Sequence, residues 1–134
     1  MPQQNTWAGY AFEILGLRHV KEIKHALGIL GIQSNISAWT NEKNEEHNAC
    51  QVDLLIDRKD GIINICEMKF YRTKFIISNS YKDELLNKIA IFQYESKTQK
   101  AIHLVLITTL GLVKNKHSGI VQKEITLDNL FLYI

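Results

Sequence analysis

Residues 51–70 read QVDLLIDRKDGIINICEMKF, and they limit most tightly what this chain can become. Two runs rich in branched aliphatic residues flank Asp57-Arg58-Lys59-Asp60-Gly61. Two apolar runs joined by a Gly-containing turn predict a β-hairpin. A three-residue loop, Lys59-Asp60-Gly61, places Gly61 in the left-handed conformation such loops prefer. Arg58 then faces Ile62, and counting back sets Asp53 opposite Glu67. Directly opposed residues share a face, roughly 4.5–5.5 Å apart at Cβ. Lys69, two residues past Glu67, lies on that face too. A two-residue loop would shift the register by one and separate the carboxylates.

Charges within such strands are costly to bury unless something uses them. Asp53 and Glu67 with the Lys69 amine form a set that can hold a divalent metal and activate water beside it. An ordinary alternative is a structural ion pair between Lys69 and the acids. Acids converging on one face repel one another, so one of them is expected to titrate above its ordinary range.

These residues resemble the PD-(D/E)XK nuclease superfamily. Val52-Asp53 stands where that family has Pro-Asp, without the proline, and Glu67-Met68-Lys69 stands for (D/E)XK. Gly9-Tyr10-Ala11-Phe12-Glu13 looks like the family's first motif, which carries an acidic residue. Residues 85–92, LLNKIAIF, resemble its second core helix. Over residues 7–131 the chain is similar to the nuclease-like C-terminal domain of certain prokaryotic AAA-type ATPases. The ATPase itself is absent, since no G-x-x-x-x-G-K-[ST] loop occurs.

The resemblance implies a restriction-endonuclease-like α/β fold, a mixed sheet with a central β-hairpin flanked by helices. It implies Asp53, Glu67 and Lys69 as catalytic residues. Glu13, Asp53, Glu67 and the Met68 backbone carbonyl would be ligands of Mg²⁺ or Mn²⁺. The activity implied is metal-dependent hydrolysis of nucleic acid, DNA before RNA. A non-cleaving DNA-binding or interaction module serving an AAA-type ATPase is the reading from a different class. A homodimerising structural domain would explain the aliphatic strands but not Glu67-Met68-Lys69.

A coarse pass along the chain agrees with α/β. A helix is expected over residues 7–27, a short strand near 36–40, and the hairpin at 51–57 and 62–70. A helix follows over 81–96, with Ser78 and Ser80 as candidate caps, and Leu85, Ile89 and Phe92 on one face. The continuous apolar character of residues 101–109 predicts a buried strand. A basic turn region, a strand at 120–125 and a short capped helix at 126–131 complete the order. Helices on both faces of a sheet are expected.

At 134 residues the chain builds one good core, so residues 1–134 are taken as one domain. No apolar stretch reaches the roughly 18–20 residues that cross a bilayer, so no membrane partner is expected. The start lacks the basic and apolar regions of a signal peptide. Cys50 and Cys66 suggest no disulfide framework, and a reducing, cytoplasmic location fits. Residues 1–68 carry six Lys/Arg and nine Asp/Glu, a balance of −3; residues 69–134 carry ten and five, a balance of +5. An acidic metal cluster beside a basic surface for phosphate gives such a split, as does chance.

Further residues carry two readings each. Gly9 and Gly16 lie near Glu13 on helix one, and two helical glycines suggest close approach by the hairpin. Glu13 is then either a metal ligand or an exposed acid beside a tight contact. Lys88, Lys114 and Lys116 can meet a nucleic-acid backbone or simply be solvated. Gln51 shares the face of Asp53. The five histidines show no zinc spacing with either cysteine. Trp7 and Trp39 read as packing residues.

Overall fold

The hairpin is the centre of the fold. In the computed structural model, which describes residues 14–42 and 49–131, Cys50–Arg58 forms β2 and Ile62–Lys69 forms β3. Their antiparallel register runs from Leu54 opposite Cys66 to Asp57 opposite Ile63. The loop is the three-residue one expected, and Gly61 has φ +91°. Lys100 clamps the turn, its Nζ donating to Asp57 Oδ1 at 2.6 Å and to the Arg58 carbonyl at 2.7 Å. Arg58 Nη1 donates to the buried amide oxygen of Asn64 at 3.1 Å.

The sheet has five strands in the order β1-β2-β3-β4-β5. Ser34–Asn41 is β1, Ala101–Thr108 is β4 and Lys123–Thr126 is β5. The first three strands are antiparallel; β4 and β5 join in parallel. β3 is therefore the middle strand. Residues 63–68 are all buried, as expected of a strand covered on both faces. β1 and β5 are the edges, and β1 is polar and mostly exposed.

Helices cover both faces. Val20–Ala26 (α1) and Leu127–Phe131 (α3) share one face, where Ile23 and Leu130 pack with Leu54, Ile56, Cys66, Met68, Val105 and Ile107. Asn79–Ser96 (α2) covers the other, where Leu85 and Phe92 pack with Val52, Leu55, Ile63, Ile65 and Leu104. Ile89 packs against that second cluster as its helical spacing requires. Trp39 meets Phe92 edge to face at 5.1 Å, which makes it a packing residue. The expected α/β architecture, a mixed sheet built around a hairpin and flanked by helices, is the one found.

Several boundaries differ from the sequence reading. The first helix is not continuous within the described residues. Residues 14–18 are helical, but His19 interrupts before α1. His19 Nδ1 donates to the Leu15 carbonyl at 2.7 Å, while its backbone N–H turns to Gly16 at 3.0 Å. The side chain thus takes the acceptor that the next helical hydrogen bond needs. α2 starts earlier than expected, at Asn79, because Ser78 Oγ caps it by accepting from Tyr81 N at 3.1 Å. The strand expected at 120–125 is split into a 3₁₀ turn, Ser118–Ile120, and β5. No helix among the described residues is long and apolar enough to cross a membrane.

Gly61 tests whether the turn sets the register. Gly61→Ala should cost about 1–2 kcal/mol in urea unfolding, because its left-handed backbone disfavours any Cβ. Gly31, with open space where a Cβ would go, is the control and should lose much less on the same change. Equal losses at the two sites would contradict the turn assignment.

Candidate active site

Glu67 stands near the end of the middle strand, 4% exposed and among hydrophobic neighbours. A buried carboxylate needs a partner. Lys88 supplies it from α2, with Nζ 2.7 Å from Glu67 Oε1. Lys88 faces the sheet because it lies three residues after Leu85 and four before Phe92. The second carboxylate oxygen, Oε2, is buried and has no hydrogen-bond partner among the described residues.

Next to Asp53, β2 is irregular. Ser37 pairs with Leu55 while Trp39 pairs with Val52, so β2 carries one residue more than β1 across this step. Alternation from Leu54 would put Val52 on the α1 face, yet Val52 packs under α2 with Leu55 and Ile65. Such a bulge re-aims side chains and ends regular pairing. The β2–β3 ladder ends at Leu54 opposite Cys66, and Asp53, the next residue, is near enough for its charge to act on Glu67. Asp53 is partly buried and accepts from Gln51 Nε2 at 3.3 Å.

Lys69 is on the same face as Glu67. Its ammonium lies 5.0 Å from the centre of the Tyr81 ring, a cation–π contact. Tyr81 comes one turn before Leu85 on the sheet-facing side of α2. Its Oη is also buried with no hydrogen-bond partner among the described residues. Sequence reasoning missed Tyr81; the signal was its position, four residues before Leu85 on the stripe that also holds Lys88.

Burial is the main cause that lifts the Glu67 carboxyl above its ordinary range, and the Lys88 ammonium opposes it. The negative charge of Asp53 adds a smaller upward push. The upward shift expected from converging acids is thus present, but desolvation outweighs repulsion as its cause. Burial, followed by the charge of Glu67, also pushes the Tyr81 hydroxyl up. Cys50 and Cys66 are buried free thiols, as expected, and burial raises both.

The remaining sequence candidates are placed as follows. Glu13, with Gly9, lies outside the described residues. Gly16 is buried against β3, where a Cβ would overlap Met68 Sδ. That is the close approach its spacing predicted, although Met68 faces α1 and Glu67 faces α2. Lys88, a candidate for phosphate contact, is held on Glu67 instead of lying free on the helix surface. Lys114 and Lys116 are exposed on the loop after β4. Asn115 between them donates to the Ile77 carbonyl at 3.1 Å and accepts from His117 N at 2.8 Å. This ties the basic loop to the segment that follows β3, at the Lys69 end of the sheet.

Among the described residues no three His, Cys, Asp or Glu side chains gather at one point. Two carboxylates with an unpartnered buried oxygen still suit Mg²⁺ or Mn²⁺, because Mg²⁺ is commonly held by one or two carboxylates plus water and phosphate.

No family model matches the chain, and no curated protein matches it. Among solved structures it is similar to the crystal structure of a protein of unknown function, AF1548, with a TM-score of 0.58 and 11% identity. The match covers 90% of this chain and 66% of that one. At that identity the likeness shows a shared α/β fold alone.

The Glu67–Lys88 pair should give stability a pH dependence of known sign. Above its ordinary value of 4.5 the unfolded carboxyl has lost its proton, while the folded one retains it up to a higher pH. The contribution of Glu67 to stability therefore rises as pH falls through that window and levels off below it. The difference between wild type and Glu67→Gln, followed by urea unfolding against pH, isolates this slope. Lys88→Met should cost about 3 kcal/mol at neutral pH and less in mild acid, by stranding a buried charge. Adding Glu67→Gln should recover most of that loss. A Lys88→Met penalty unchanged with pH would contradict the pairing.

Proposed function

We propose that this chain hydrolyses phosphodiester bonds in nucleic acid, with DNA as the substrate, as a metal-dependent nuclease of the PD-(D/E)XK type. The observation that supports this most is Glu67: a carboxylate buried on the middle strand, with one oxygen on Lys88 and the other unpartnered, beside Asp53 and Lys69. A purely structural ion pair accounts for Lys88 but not for the Glu67 oxygen left without a partner among the described residues.

Asp53 and Glu67, with the Met68 backbone carbonyl and Glu13, would hold Mg²⁺ or Mn²⁺. When bound, the ion supplies positive charge for the phosphate and for the attacking water. Lys69, steadied on the Tyr81 ring, orients that water and offsets negative charge as it grows on the phosphate. Water oxygen bonds to phosphorus and releases a proton to solvent, the bond to the leaving sugar oxygen breaks, and that oxygen takes a proton from solvent. Lys88 opposes the loss of charge that burial imposes on Glu67. Lys114 and Lys116, exposed on the loop tied to Ile77, would follow the nucleic-acid backbone. Two buried, unbridged thiols suit a reducing cytoplasm.

One observation favours a second reading. Lys88 already neutralises Glu67 without any metal, as a non-cleaving DNA-binding or interaction module of an AAA-type ATPase would allow. A homodimer is compatible with either reading.

Nicking of supercoiled, linear and branched DNA with Mn²⁺ separates the two. Lys69→Ala should lose about 100-fold or more in cleavage and keep DNA binding within about threefold, because its ammonium acts on the transition state. Lys69→Arg should not restore full activity. Calorimetry with Mn²⁺ should show heat for wild type and none for Asp53→Ala. Wild type that cleaves none of these substrates, even with a cognate ATPase present, would leave the binding-module reading standing.

A further inference from the structure

We propose that the cavity beside Lys69 is a pocket for one unpaired nucleotide, so that the substrate is single-stranded or locally opened nucleic acid. The inference rests on the phosphodiesterase reading of the Glu67 site and names the substrate class of that site.

The cavity measures about 510 Å³, within the range of small-molecule sites. Lys69 and Tyr81 belong both to its wall and to the surroundings of Glu67. Whatever fills it therefore sits directly beside the place proposed for the scissile phosphate.

Its walls match a nucleotide in two ways. Tyr71, Phe75 and Tyr81 form an aromatic wall, their rings meeting edge to face at 4.8 Å and 5.4 Å. Ile76 in the same lining is 62% exposed, an apolar side chain with little cover. Lys69 and Lys74 add two ammonium groups against the one carboxylate of Glu84. An aromatic and apolar floor with cations at its edge is how proteins hold single strands, the rings taking the base and the cations the backbone. A base stacked and paired inside a duplex cannot enter such a cavity unless it is first turned out, which costs unpairing energy.

The test measures binding without divalent metal, so that it does not depend on cleavage. A short fluorescein-labelled single strand and the blunt duplex of the same sequence are titrated with the full chain by fluorescence anisotropy. Wild type should bind the single strand about tenfold or more tighter than the duplex. Tyr71→Ala should remove most of that preference. Ile76→Ser, at an exposed position with no change of charge, should weaken the single strand about fivefold and the duplex less than twofold. Equal affinities for the two ligands in wild type, or equal losses for both in Ile76→Ser, would overturn the pocket. Cleavage on duplex with no strand preference would leave the phosphodiesterase and remove the pocket. A strand preference that survives in a protein that cleaves nothing would do the reverse.

Discussion

A carboxylate on the middle strand of a sheet covered on both faces has few ways to remain charged. Lys88, whose Nζ lies 2.7 Å from one Glu67 oxygen, opposes the loss of charge that burial imposes there. The rest of the site follows from that requirement. Lys88 must face the sheet, so the stripe of α2 that includes Leu85 and Phe92 has a charge in the middle of it. The pair in turn fixes α2 over the end of β3, bringing Tyr81 within reach of Lys69. A purely apolar residue at Glu67 would pack as well or better, since removing buried ion pairs is often neutral or stabilising. Retaining the charge here fits a chemical task.

The hairpin makes this arrangement possible. Gly61 in its left-handed turn and the Lys100 clamp set the register at one end. At the other end the extra residue in β2 breaks the alternation at Val52, which fills the core under α2. A regular ladder without that bulge would place Val52 on the opposite face.

Much of this was readable in the chain. The turn residues fixed the loop length, and through it the register of Leu54–Asp57 against Ile63–Cys66, because side-chain alternation leaves only two choices. Ser78 as a cap and Leu85, Ile89 and Phe92 as a buried face followed from spacing alone. Other features were not readable. The bulge depends on how β1 pairs with β2, a contact between segments whose sequences carry no turn signal. The break at His19 comes from a side chain competing for a carbonyl, which helical periodicity does not encode. Helical spacing places Lys88 near Leu85 and Phe92. That it meets Glu67 required knowing that α2 lies on the same face of the sheet as that acid.

The same separation holds for function. The α/β fold is shared with a structure of unknown function, and the fold alone assigns no chemistry. The claim rests on a few side chains at the end of β3, and it is settled by where a divalent ion goes. Anomalous diffraction from crystals soaked in Mn²⁺ is the most direct measurement. The account predicts one peak between the Asp53 and Glu67 carboxylates, in contact with the Glu67 oxygen that Lys88 leaves free. Glu67 still bonded to Lys88 alone, with no manganese on either carboxylate, would contradict it.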